Sequence, residues 1–225
     1  MITTSMLTSS QSRRAQASSH SSEAYRLLKD KIIRLELPPA AVIDETALMA
    51  ELELGRTPIR EALQRLALES LVVILPRRGT IVADLNMSDL QKIFEIRVDL
   101  ELLSVRLAAQ RATPAQIAAM EGLFGDAEAL LQQGDNFQLI QLDHEAHRLL
   151  AQAAHNEFLE ETLDRLYNHV LRLWYVSLHR VQRLREALEE HRQIVAYVKA
   201  GDGECAAEIM RTHIAEFQNQ FLSIR

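Results

Sequence analysis

The chain has 225 residues, 48% of them hydrophobic, one cysteine and a formal charge of −6 at pH 7. That composition allows a full core in one large or two small domains. The single cysteine, Cys205, excludes an intrachain disulfide framework and fits a reducing compartment, and no stretch approaches the roughly 20 apolar residues of a membrane-spanning helix. The charge is uneven: residues 1–85 sum to +1 and residues 86–225 to −7, so contact with phosphates suits the first part and is disfavoured in the second.

Residues 1–21 are rich in Ser and Thr, carry Arg13 and Arg14 without an acid, and read as a disordered tail. From Glu23 to Leu35, Leu27, Leu28, Ile32 and Leu35 recur at helical spacing, and Leu37-Pro38-Pro39-Ala40 stops the helix because proline removes donors and restricts the preceding backbone. Asp44 is placed to cap a second helix running to about Leu52. A third follows, with Thr57 expected as N-cap and Pro58 as the first helical residue; Ile59, Leu63 and Leu66 share one face while Arg56, Arg60 and Gln64 point elsewhere. Two short β-type runs, Val72 to Leu75 and Thr80 to Val82, flank a basic turn of Pro76, Arg77, Arg78 and Gly79 and predict a hairpin. Three helices and a two-stranded wing over residues 22–84 read as a winged helix-turn-helix: arginines at a helix start can enter a major groove while the wing tip reaches neighbouring phosphates or the minor groove.

Asp84 to Met87 is the expected junction, and from residue 88 to 225 the pattern is helical. Six helices are predicted: one capped by Ser88 and running to about Ala112, Thr113-Pro114 to about Gln133, a third from the Gly134-Asp135 break to Ala154, a fourth from the His155-Asn156 break to about Leu178, a fifth from roughly Arg180 to Lys199, and a sixth after Gly201-Asp202-Gly203 from Glu204 almost to the end. Short connections between them predict an antiparallel bundle.

One set of residues in this half carries chemistry. Asp143 and His147 are four apart on the third bundle helix and share a face, while His191 and His213 lie in the fifth and sixth. One carboxylate and three imidazoles from three helices would suit a divalent transition metal such as zinc or nickel. Taken singly, Asp143 with His147 also reads as a surface hydrogen-bonded pair, His191 beside Glu189 and Glu190 as a solvated face, and His213 as a satisfied core histidine. Periodicity does not decide between these readings. The run His144-Glu145-Ala146-His147 fails the zinc-protease pattern, which needs histidines four apart.

Two separate motifs resemble one family. Gly55-Arg56-Thr57-Pro58-Ile59-Arg60-Glu61-Ala62-Leu63 in the first half, and Asp143-x3-His147, Glu190-His191-Arg192-x-Ile194, Gly201-Asp202 and Met210-Arg211-x-His213-Ile214 in the second, resemble the GntR family of bacterial transcription regulators, in its FadR-like branch with an FCD effector-binding domain. The resemblance covers roughly Ser22 to Phe221. It implies a cytoplasmic homodimer that binds a palindromic double-stranded DNA operator, with candidate contacts at Arg56, Thr57 and Arg60, at Thr46 on the preceding helix, and at Arg77, Arg78 and Gly79 on the wing. It also implies metal ligation by Asp143, His147, His191 and His213, and a small organic acid bound in the helical domain, with Arg97, Asn168 and Arg172 as candidate effector contacts. Arg97 also reads as an exposed ion pair with Glu101, and Trp174 and Tyr175 read as core or dimer packing. Three positions depart from the family: Thr46 where some members have Arg, Glu53 where Gly is usual, and Gly55 where Ser is usual. The expected function is a ligand-responsive regulator acting as a repressor; the alternatives are a metal-dependent enzyme tethered to DNA, with the metal activating water, and a regulator whose signal is the ion itself.

Overall fold

In the computed structural model, residues 19–178 and 183–222 are described, and the chain divides into two compact units between Leu85 and Asn86. The first begins with helix α1 over 19–33, which buries Ala24, Leu28 and Ile32. It therefore takes in residues 19–21, assigned above to the tail, and Ser21 is buried; residues 1–18 lie outside the described part. Strand β1 (Val42–Ile43) precedes α2 (Glu45–Glu51), where the Asp44 side chain accepts from the Thr46 and Ala47 amides as a cap. Helix α3 (Arg56–Leu68) follows, then β2 (Val72–Leu75) and β3 (Gly79–Val82).

The N-terminus of α3 differs from expectation. Gly55, not Thr57, is the N-cap, and it offers no side-chain hydrogen bond; Arg56 is the first helical residue and Pro58 the third. Pro58 is tolerated there because the first amides of a helix have no partner within it. The wing also has one strand more than its sequence suggested. The antiparallel sheet has order β1-β3-β2, with Val42 opposite Ile81 and Ile43 opposite Thr80. Two residues between a proline turn and a helix cap are too few to show alternation. The remainder of the hairpin pairs as its pattern indicates, Val72 with Val82 and Leu75 with Gly79, and Arg77 and Gly79 take positive φ at the turn. Ile59, Ala62, Leu63 and Leu66 of α3, Leu71, Val72 and Val82 close the core of this unit over α1.

The second unit holds α4 (Met87–Arg111), α5 (Pro114–Leu123), α6 (Ala127–Gln133), α7 (Asn136–Ala153), α8 (Glu157–Val176), α9 (Leu184–Ala200) and α10 (Gly203–Leu222). The single helix expected over 113–133 is two, α5 and α6, because the chain turns through Phe124 to Asp126, which includes Gly125, with Gly122 in the last turn of α5. Asn86 rather than Ser88 caps α4; its side chain accepts from the Ser88 amide. Thr113 and Gln116 form the capping box that starts α5, with Pro114 at the first position. Gly134 and Gly201 end α6 and α9 in the left-handed conformation, at φ 68° and 77°. The start expected for the fifth helix, at Arg180, lies outside the described residues.

Helix α4 packs against α7, α8, α9 and α10, and α9 against α10. The interior is not uniformly apolar. Alongside Leu102, Val105, Leu150, Leu188, Ile194, Met210 and Ile214 it buries Arg97, Glu101 and Ser104 of α4, Asp143 and His147 of α7, Asn168 and Arg172 of α8, His191 of α9 and His213 of α10. Buried polar groups are costly unless partnered, so a concentration of them in one bundle marks where chemistry is held.

Candidate metal centre and DNA-reading surface

Asp143, His147, His191 and His213 converge. One donor atom from each lies within 4.8 Å of the others, and all four residues are buried. Helix α7 sets Asp143 and His147 one turn apart on its inner face, α9 contributes His191 and α10 His213. His147 Nε2 is 3.3 Å from His213 Nε2, and Asp143 Oδ1 is 3.5 Å from His213 Nε2 and 3.6 Å from His191 Nδ1.

Each imidazole is held by its other contacts. His213 Nδ1 lies 2.9 Å from Glu190 Oε2, His191 Nδ1 lies 3.0 Å from the Ala187 carbonyl oxygen, and His147 Nδ1 lies 3.0 Å from Glu101 Oε1. At His213 and His191, with Nδ1 placed to donate, the lone pair is on Nε2; His147 Nδ1 has no hydrogen-bond partner, and its Nε2 faces the Arg97 donor instead. Tyr167 donates its hydroxyl hydrogen to Asp143 Oδ2, leaving Oδ1 toward the histidines with no hydrogen-bond partner; His191 Nε2 likewise has none. Burial alone would raise the Asp143 carboxyl, but His191, His147, His213 and the Tyr167 hydrogen bond outweigh it and hold it at about 2. Burial also pushes His147 and His213 well below the ordinary imidazole value, further assisted by Arg97 and by the other histidines, which favours the neutral, ligating form.

This donor set fits a transition metal. Two nitrogens each about 2.1 Å from one ion are about 3.4 Å apart at a tetrahedral angle, close to the separation of the His147 and His213 nitrogens. A buried carboxylate oxygen and a buried imidazole nitrogen without partners, Asp143 Oδ1 and His191 Nε2, are unfavourable unless a cation or a donor shares them.

Arg97 adjoins the same donors. Its Nε donates to Glu101 Oε1 at 3.1 Å, Nη2 is 3.1 Å from His147 Nε2, and its guanidinium lies 4.4 Å from the centre of the Tyr167 ring. The Arg97–Glu101 pair is real, but it is buried, at 4% and 1% side-chain exposure, not on the surface. Asn168 and Arg172 are buried one turn apart on α8, Asn168 donating to Asp164 at 3.3 Å; the α8 residue that reaches Asp143 is Tyr167. Tyr167 is absent from the sequence expectations; Glu101 enters them only as a partner of Arg97, and Glu190 only as a solvated neighbour of His191 and as part of the motif Glu190-His191-Arg192, neither with a contact to His147 or His213. Trp174 is core, its ring edge-on to Phe217, which in turn lies edge-on to His213.

In the first unit, Thr46, Arg56, Thr57, Arg60, Arg77, Arg78 and Gly79 are all exposed. Arg56 and Arg60 lie one turn apart at the start of α3, and the wing tip carries Arg77 and Arg78. Arg60 Nε donates to Glu45 Oε2 of α2, the neighbouring helix, at 2.8 Å. Glu53, in the turn between α2 and α3, sits at φ 55°, a conformation that glycine takes without strain.

Residues 20–82 match the bacterial regulatory proteins of the gntR family, and residues 92–216 match the FCD domain. The chain belongs to the GntR family, with an FCD domain as its helical part. It is 30% identical to the HTH-type transcriptional regulator YdhC of Bacillus subtilis over 193 residues, covering 84% of this chain and 85% of that one. It is 26% identical to the HTH-type transcriptional repressor RspR of Escherichia coli, covering 90% and 89%, and 30% identical to the repressor GlaR of the same organism, covering 85% and 91%. Among solved structures it resembles E. coli McbR/YncC, at TM-score 0.76 and 26% identity over 90% of this chain and 98% of that one. A GntR regulator from Rhodococcus sp. RHA1 shares the fold, at TM-score 0.75 and 22% identity over 92% and 99%. GntR relatives and fold neighbours are transcription regulators, so this chain is a regulator of that type and not an enzyme. No helix among the described residues is long and apolar enough to cross a membrane.

Proposed function

We propose that this GntR regulator is a homodimeric repressor of the FadR-like branch, acting on the bacterial chromosome. Its first unit reads a palindromic operator, and its FCD unit binds a small organic acid beside a divalent transition metal, zinc or nickel. The observation that carries the second part is the convergence of Asp143, His147, His191 and His213 inside the bundle. Those four residues would hold the ion, which when bound supplies a positive centre for a carboxylate.

Arg97 contributes a second positive group. It now donates into the lone pair of His147 Nε2, and when that nitrogen is engaged elsewhere the guanidinium has a hydrogen-bonding direction to spare beside the site. A carboxylate is the group that matches such a fork. Arg56, Thr57 and Arg60 read the major groove, with Thr46 on α2 and Arg77, Arg78 and Gly79 completing the contact. An arginine at a helix start can pair bidentately with guanine. Control follows from linkage: an acid that binds one arrangement of the dimer more tightly changes operator affinity by the ratio of its two affinities.

The test is a thermal-shift series on the full chain, first with zinc or nickel alone, then with a panel of mono- and dicarboxylic acids. A metal-dependent rise in melting temperature that an acid extends, and that is absent in His191→Ala/His213→Ala, is the expected result. No response to either metal would overturn the metal part. The complete burial of the four donors favours a second reading, in which the ion itself is the signal. Operator binding that responds to zinc in the absence of any organic acid would select it.

A further inference from the structure

Glu190 lies one residue before His191 on α9, yet its carboxylate reaches α10. Oε2 is 2.9 Å from His213 Nδ1, and Oε1 accepts from Arg183 Nη2 at 2.8 Å, so both oxygens are engaged. A neutral imidazole carries one N–H. With an anionic acceptor at Nδ1 the proton stays there, and the lone pair falls on Nε2, the nitrogen 3.3 Å from His147 Nε2 and 3.5 Å from Asp143 Oδ1.

We propose that Glu190 is the positioning residue that fixes His213 in its Nδ1-protonated tautomer and aims Nε2 at the other three donors, with Arg183 holding the carboxylate in place. The proposal rests on the metal reading of the four donors. The opposite tautomer would turn an N–H toward the centre and could not ligate, and a ring free to rotate would lose the alignment. Metal-binding histidines commonly donate their second nitrogen to a carboxylate, which orients the ring and raises its basicity. Glu101 Oε1 also lies 3.0 Å from His147 Nδ1, but without a hydrogen bond between them, and it is fully buried in the pair with Arg97, so its removal would leave an unpaired buried charge. Glu190, with 16% of its side chain exposed, is the one that can be changed cleanly.

The experiment compares wild type, Glu190→Gln, Glu190→Ala and His213→Ala as full chains. Cobalt binding is followed by visible absorption, zinc affinity by competition with a chromophoric chelator, and the His213 tautomer of the metal-free protein by nitrogen NMR. His213→Ala should lose the ion. Glu190→Ala should bind about 10–100-fold more weakly, with an altered cobalt band and loss of the single Nδ1-protonated form. Glu190→Gln, whose amide oxygen still accepts but carries no charge, should fall between, and it carries the comparison if Glu190→Ala does not fold. Wild-type affinity, cobalt spectrum and tautomer in both Glu190 variants, beside abolished binding in His213→Ala, would overturn the role of Glu190 alone. A wild-type chain that bound neither ion would overturn the metal reading, and this proposal with it.

Discussion

At the scale of single residues, the same chemistry has opposite consequences in the two units. In the first, charged side chains stay in water: Arg60 retains 59% exposure while paired with Glu45, a contact worth at most about 1 kcal/mol. It orients the guanidinium without a large cost to redirecting it. Substituting Arg56 or Arg60 by alanine should therefore leave the melting temperature within a few degrees while weakening specific operator binding by about 1–3 kcal/mol each. Binding to a duplex selected from a random pool, compared with a scrambled duplex at fixed salt, is the measurement; an unchanged ratio would sink the base-reading role. In the polar cluster of the second unit, by contrast, the charges of Arg97, Glu101 and Asp143 are buried and interlocked. Tyr167→Phe removes the donor to Asp143 Oδ2, so it should destabilise the chain by about 1–3 kcal/mol and weaken zinc binding, both readable by chemical unfolding with and without the ion.

At the scale of elements, strain and close approach set what each helix can tolerate. Glu53 holds a left-handed turn between α2 and α3 that glycine adopts freely. Glu53→Gly should raise the thermal midpoint, the gain being a few tenths to about 1 kcal/mol after the greater freedom of glycine in the unfolded chain is subtracted. At the start of α10, by contrast, the constraint is close approach: a Cβ on Gly203 would lie 3.0 Å from Arg106 Cα and 3.3 Å from Arg106 O, so the two backbones would have to part by a few tenths of an ångström. Gly203→Ala should cost about 1–3 kcal/mol by forcing α10 away from α4, and because His213 rides on α10 it should also lower metal affinity. Helix α8 supplies an optical reporter for the same element. Trp174, the only tryptophan, meets Phe217, and Phe217 meets His213, at centroid distances of 4.5 and 4.6 Å. Zinc addition should change tryptophan emission in wild type and leave it unchanged in His213→Ala.

At the scale of the whole molecule, the four candidate donors belong to one unit and Arg56, Arg60, Arg77 and Arg78 to the other. A metal held between α7, α9 and α10 would stabilise the bundle by mass action. Adding a chelator should lower the calorimetric transition of the helical unit and leave that of the winged unit in place; one transition moving as a whole would show instead that the two units unfold together. Replacing Arg77 and Arg78 by alanine should weaken binding to all duplexes by a similar factor. It should also reduce the slope of log affinity against log salt by about one for each phosphate that the wing no longer neutralises.

The sequence by itself determined the order of elements and where they stop, because those are local matters. Helical periodicity, the caps at Asp44 and Thr113, the prolines after α1 and the glycines at 134 and 201 all act within a few residues of themselves. Where two local signals competed, the finer detail went astray: Thr57 and Ser88 looked like caps, but Gly55 and Asn86 hold those positions. Strand β1 was too short to carry a pattern, and α5 and α6 shared one apolar run. The candidate ligands were legible as residue types, through spacing and resemblance, yet spacing allowed Asp143, His147, His191 and His213 to be surface groups as readily as a cluster. Only the tertiary structure decided that α7, α9 and α10 bring them within 4.8 Å, that the Arg97–Glu101 pair is buried, and that Tyr167 and Glu190 orient the donors. The physical reason is separation along the chain. Tyr167 meets Asp143 across 24 residues and Glu190 meets His213 across 23, and contacts of that kind follow from how apolar helix faces pack together, not from periodicity within any one helix.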